Sequence, residues 1–168
     1  LYSFATHPEL MVKRSDLNET VRSVLKAFDE ELATYAIKVE TQLDPSVSEA
    51  EFDAEKLTQA IHSVVQNSVE AMPSGGTLTV RTSRDHDTCH VVVADTGPGV
   101  SREHVPMIFM PFYSTKERGM GLGLPTAMRI VRQHNGEMRL VETPEGTGAV
   151  FQVSFPAAQV AHEDDSGR

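Results

Sequence analysis

The sequence predicts an α+β protein: a two-layer α/β sandwich in which a mixed sheet of about five strands carries three helices on one face. Three observations point there. Apolar residues recur at helical spacing in three segments; five further segments alternate apolar and polar residues; and the later strands are joined by short polar turns, as in hairpins. At 168 residues with 39% of them apolar, the chain can bury one well-cored domain and is short for two.

The elements follow in order. "DLNETVRSVLKAFDEELATYA" (16–36) reads as one helix, with Leu17, Val21, Val24, Leu25 and Phe28 on its stripe and Asp16 with Glu19 as its N-terminal cap. "IKVETQL" alternates as a strand does and stops at Asp44-Pro45. A second helix runs from about Glu55 to Met72, its inward stripe Leu57, Ala60, Ile61, Val64, Val65 and Ser68, ended by Pro73 and Gly75-Gly76. "TLTVRTS" and "HVVVAD" form two strands around the turn "RDHDT". A long aperiodic segment, 96–123, separates them from a third helix over Pro125–His134, which Asn135-Gly136 closes with a left-handed stop. "MRLVE", the turn "TPEGTG" and "AVFQVSFP" make the last hairpin. The domain therefore spans 16–156, with a linker-like 1–15 before it and a polar tail, 157–168, after it.

Composition excludes several function classes. A formal charge of -9 argues against a nucleic-acid surface, because phosphate backbones select basic faces. No apolar run is long enough to span a bilayer. The single cysteine, Cys89, has no internal partner and reads as a small buried strand residue in a chain suited to a reducing compartment.

Four stretches carry chemistry. In "GMGLGLPTAM", Gly119, Gly121 and Gly123 alternate immediately before a helix whose N-terminal amides form an anion site, and Pro125 fits its first turn. On its own the pattern also suits a flexible linker. In "VADTGPGV", a valine-rich strand delivers Asp95 to its end, where a carboxylate accepts a hydrogen bond from an amine such as that of adenine and repels the oxygen of guanine. Gly97 and Gly99 would let the chain pass close to a flat base, although an ordinary Asp-Thr-Gly turn fits as well. Asn67, in "AIHSVVQNSVEAM", borders the apolar stripe of the second helix; its amide oxygen is a hard neutral ligand suited to Mg²⁺, with Ser63 and Glu70 on the same flank. The bland alternative is a hydrogen-bonding asparagine. In "IFMPFYSTKERG", Phe109, Phe112 and Tyr113 are anchors for a lid from which Lys116 reaches phosphates, or else a local apolar cluster.

The order and spacing of the four together resemble the ATP-binding catalytic domain of sensor histidine kinases, within the superfamily that holds type II topoisomerase, chaperone and mismatch-repair ATPases. "QNSVEAM" resembles its asparagine box, "DTGPG" its first glycine box, "FMPFYSTK" its phenylalanine box and "GMGLGL" its second glycine box; the likeness covers roughly residues 15–156. "NSVEAMPSGG" and "PFYSTK" look most like the nitrogen-regulation and oxygen-sensing kinases. The resemblance implies the Bergerat-type ATP-binding fold, with ATP and Mg²⁺ as cofactors. It implies Asn67 as the Mg²⁺ ligand and Asp95 as the adenine selector, with Gly97, Gly99 and Val100 at base and sugar. Gly119, Gly121, Leu122, Gly123 and Leu124 would lie along the phosphates, with Lys116 in the lid. It further implies a dimerisation domain bearing the phosphoacceptor histidine, a response regulator as partner, a cytoplasmic location and any membrane anchor in segments outside this chain. "LYSFATHPEL" would then be the end of the dimerisation hairpin.

Two departures temper the match. Position 63 is serine, where many histidine kinases have asparagine and the related ATPases a glutamate base, so Mg²⁺ has one protein oxygen fewer and water no obvious activator. None of His7, His62, His86, His90, His104, His134 or His162 stands in an acceptor context, a histidine followed by an acidic residue, and His134 reads as core packing. An ATP-hydrolysing clamp and a nucleotide-binding module without transfer remain the competing readings.

Overall fold

The computed structural model describes residues 10–111, 113 and 123–159. Four helices and seven strands are present among them: β1 (Lys13–Ser15), α1 (Leu17–Ala27), α2 (Asp29–Thr34), β2 (Ile37–Gln42), β3 (Ala50–Phe52), α3 (Ala54–Glu70), β4 (Gly76–Asp85), β5 (Thr88–Asp95), α4 (Gly123–Gln133), β6 (Glu137–Val141) and β7 (Val150–Pro156). Five strands form the main sheet in the order β2-β4-β5-β7-β6. β2 pairs parallel to β4, and the other pairs are antiparallel, so the sheet is mixed as expected.

Period-two alternation explains the sheet's two faces. Along β5 the inward positions are Cys89, Val91, Val93 and Asp95, and along β7 Phe151, Val153 and Phe155. Helix α3 lies between α1 and α4 and contributes Leu57, Ile61, Val64 and Val65 to the same core, all at most 1% exposed. Cys89 is fully buried and burial pushes its thiol pKa up, which makes it a packing residue rather than a nucleophile.

The expected first helix is two. Asp16 caps α1 through its carboxylate, accepting from the Asn18 and Glu19 amides, as its sequence predicts. Phe28 then ends α1 and begins α2, because its ring is drawn 4.6 Å from His62 on α3 while its amide bonds back to the Leu25 carbonyl. Strands β1 and β3 pair with each other in a separate two-stranded sheet. At three residues each they are too short to alternate visibly. The fold also holds residues on both sides of 16–156. Lys13–Ser15 are strand, Ala157 is buried, and Gln159 donates its amide to Glu51 at 3.0 Å. No helix among the described residues is long and apolar enough to cross a membrane.

His134, expected in the core, is fully buried and joins three elements. Its Nδ1 donates to the Ile130 carbonyl at 2.9 Å, and its Nε2 accepts the Asp53 amide at 3.1 Å. The Asp53 carboxylate caps α3 through the Lys56 amide and also accepts from the Met11 amide at 2.9 Å. This arrangement admits only the neutral imidazole. Burial holds its pKa below the ordinary 6.5, against the raising effects of the Ile130 bond and the Asp53 charge. The unfolded chain therefore binds this proton more readily, so the contribution is complete above about pH 6.5 and is lost as pH falls below it. Denaturant midpoints measured from pH 7.5 to 5.5 should fall for the wild type, and fall less for His134→Gln. His134→Ala should cost about 2–4 kcal/mol at pH 7.5, from the cavity and the orphaned Asp53 amide.

Candidate functional site

The site is built along one flank of α3. Ser63, Asn67 and Ala71 succeed one another at four-residue intervals, so they share a flank over about 12 Å of helix axis. At one end a Cβ added to Gly123, the first residue of α4, would sit 3.7 Å from the Ser63 Cβ. At the other end a Cβ on Gly97 would lie 2.7 Å from the Ala71 carbonyl oxygen and 3.1 Å from Asp95 Oδ1. The α4 N-terminus and the end of β5 thus bracket half-buried Asn67. Such a span suits an elongated ligand with an anionic end at α4 and a flat end at Gly97.

Strand parity aims Asp95 inward, where the alternation otherwise places apolar residues, and the side chain is 5% exposed. Its Oδ1 accepts the Gly97 amide at 2.9 Å and the Ala149 amide at 3.2 Å. Its Oδ2 is buried with no hydrogen-bond partner in the structure. An orphaned buried carboxylate oxygen costs about 1–3 kcal/mol or more, so it marks a place where a donor from outside the chain belongs. The exocyclic amine of a nucleotide base is a donor of that kind, and Gly97 lets the chain pass against the Ala71 carbonyl, where a side chain would clash.

The other expected residues that are described occupy varied positions. Gly99 adopts a left-handed conformation (φ 77°) and passes the Gly148 carbonyl, while Val100 packs partly buried on the core. Leu124, in the first turn of α4, also packs on the core. Phe109 anchors its loop by an edge contact with Phe151, ring centroids 6.3 Å apart, and Tyr113 lies 6.0 Å from the His104 ring. Phe112, Lys116, Gly119, Gly121 and Leu122 lie outside the described residues.

For a divalent ion the donor set is sparse. Among the described residues no group of three or more His, Cys, Asp or Glu is placed to hold a metal. Ser63 donates its hydroxyl to the Gln59 carbonyl at 3.2 Å. One neutral amide oxygen, that of Asn67, fits Mg²⁺ that keeps its waters and shares phosphate oxygens; it does not fit a metal caged by the protein alone.

Sequence reasoning missed Gly148, which it placed in a plain turn, and Ala149, which it read only as the start of the last strand. Gly148 adopts φ 100°, and a Cβ there would run into the Asp95 carbonyl oxygen. The Asp95 amide donates to the Ala149 carbonyl at 3.0 Å, which completes the clamp on that residue. The glycine pair in "EGTG" was the available signal.

Together these features make a candidate ligand site in a two-layer α/β domain, between one helix flank and the C-terminal end of a central strand. Residues 52–159 match the family described as histidine kinase-, DNA gyrase B-, and HSP90-like ATPase, and the chain belongs to it. Sporulation kinase C of Bacillus subtilis is 36% identical over 149 residues, covering 86% of this chain and 34% of the relative. The chain thus spans about a third of that relative's length. The catalytic domain of histidine kinase ThkA, solved free of nucleotide, superposes with a TM-score of 0.81 at 27% identity, covering 89% of this chain and 99% of that one. Full-length ShkA, solved with AMPPNP, gives 0.82 at 25% identity, covering 91% of this chain and 32% of that one. ThkA has also been solved with response regulator protein TrrA, giving a TM-score of 0.76 at 25% identity and covering 87% of this chain and 42% of that one.

Two glycine substitutions separate clamp from turn. Gly148→Ala should cost at least about 2 kcal/mol in chemical denaturation, through both backbone strain and the clash with Asp95. Gly146→Ala has a positive φ of 80° but open space around it, and should cost only about 1 kcal/mol.

Proposed function

We propose that this chain is the ATP-binding catalytic domain of a sensor histidine kinase, acting in the cytoplasm on a histidine carried by a dimerisation domain outside it. The observation that carries the reading is the unpartnered, buried Oδ2 of Asp95 beside Gly97. An ionised carboxylate only accepts hydrogen bonds, so it holds the exocyclic amine of adenine and opposes the carbonyl that guanine presents at the same ring position. In this reading Gly97, Gly99 and Val100 border base and sugar. Gly123 and Leu124, with Gly119, Gly121 and Leu122 before them, line the phosphates, and Lys116 adds a point charge.

Asn67 would hold Mg²⁺, which when bound neutralises charge on the phosphate oxygens. The chain's own residues do the rest by position: the Asp95 pocket fixes the base, the α3 flank sets the direction of the phosphates, and the α4 amides face the anionic end. Ser63 is unsuited to activating water, since its hydroxyl is committed to the Gln59 carbonyl. That favours transfer to a histidine over hydrolysis by a clamp ATPase. A response regulator, the kind of protein with which ThkA has been solved in complex, would receive the phosphoryl group next.

Calorimetry should show ATP bound in preference to GTP, and Asp95→Ala should weaken ATP roughly tenfold to hundredfold, the worth of a charged hydrogen bond. Equal affinity for the two nucleotides, unchanged by the substitution, would overturn the assignment. With radiolabelled ATP the isolated chain should take up negligible label and release phosphate slowly. Adding the parent's dimerisation domain should produce an acid-labile, base-stable phosphohistidine. Asn67→Ala should abolish that product, and Ser63→Ala should reduce it less. Brisk phosphate release without a partner would favour the clamp ATPases instead.

A further inference from the structure

Among the described residues, two buried side-chain atoms lack a hydrogen-bond partner, Asp95 Oδ2 and Ser68 Oγ. Ser68 is fully buried on α3, next in sequence to Asn67. A helical hydroxyl has an easy refuge in the carbonyl four residues back, and two others on this helix take it: Thr58 bonds Ala54 at 2.6 Å and Ser63 bonds Gln59 at 3.2 Å. Ser68 does not. Its turn of helix leads directly into Ala71, whose carbonyl abuts Gly97, and Met72, whose sulfur accepts from the Thr96 hydroxyl at 3.6 Å. The second orphan is thus on the helix that packs against β5, one turn before the residues that meet the segment following Asp95.

We propose that Ser68 is a base-reading residue: its hydroxyl donates, directly or through one ordered water, to the N1 ring nitrogen of the adenine whose amine Asp95 Oδ2 accepts. The inference rests on the adenine-nucleotide reading above and extends it to a residue that neither the motifs nor the spacing singled out for binding. The two orphans are complementary to one edge of the base. Adenine offers an acceptor at N1 beside a donor at the amine; Ser68 supplies a donor and Asp95 an acceptor. Because a hydroxyl can reverse its role and a carboxylate cannot, Asp95 discriminates against guanine while Ser68 adds affinity for N1.

The test uses the 168-residue chain, ATP, and 1-deaza-ATP, in which a C–H replaces N1. For the wild type, loss of N1 should weaken binding about three- to tenfold. In Ser68→Ala, ATP should bind more weakly by the same factor, and loss of N1 should then change nothing further. Without nucleotide, Ser68→Ala should melt at or above the wild-type temperature, because it deletes a desolvated, unpartnered hydroxyl. Equal binding of the two nucleotides by the wild type would overturn the proposal without any variant. So would a Ser68→Ala protein that keeps the full difference between them, or one that melts several degrees lower. If the wild type binds neither nucleotide, or Asp95→Ala leaves ATP affinity unchanged, the adenine reading itself falls and takes this one with it.

Discussion

The site depends on a buried carboxylate that the fold satisfies at only one of its two oxygens. Asp95 ends β5 in an inward position, and two backbone amides, from Gly97 and Ala149, take one of its oxygens. Its other oxygen is left bare in the interior. Leaving that oxygen desolvated costs stability, which a donor from a ligand would recover. Everything nearby serves that geometry. Gly97 and Gly148 lack side chains because Ala71 and the Asp95 backbone already occupy the space.

Helix α3 relates the two ends of the site. Its inward stripe is ordinary core, but its flank touches α4 at Ser63 and the first glycine segment at Ala71. A rigid helix fixes that spacing more firmly than loops would. The same helix is held at its start by Asp53, which also receives the His134 contact from α4 and the Met11 amide from the incoming chain. The entry of the chain, the helix bearing Asn67 and the helix that follows the glycine-rich segment are therefore joined through a few buried polar bonds. Such networks are strong only when complete, which is why a neutral His134 matters.

Much of this was legible in the sequence. Stripes and alternation located the main helices and the five strands of the large sheet, and Asp16 and Asn135 marked helix ends where the structure has them. The motif residues Asn67, Asp95, Gly97 and Gly123 are brought to one seam. The short strands β1 and β3 were not legible, because three residues carry no period and their pairing is decided by partners 35 to 39 residues away, Ser15 with Ala50 and Lys13 with Phe52 by register. Phe28 likewise reads as one more residue of a stripe, and only its contact with His62 breaks the helix there.

The sequence by itself determined the layer architecture and the family likeness, because these follow from local periodicity and from the spacing of a few side chains. Only the tertiary structure decided which polar groups are satisfied. Asp95 has one oxygen clamped by a turn 54 residues distant and one free, and Ser68 turns away from the helix carbonyl that its neighbours Thr58 and Ser63 use. Hydrogen-bond satisfaction depends on what lies across the seam, and no local pattern in the chain encodes that.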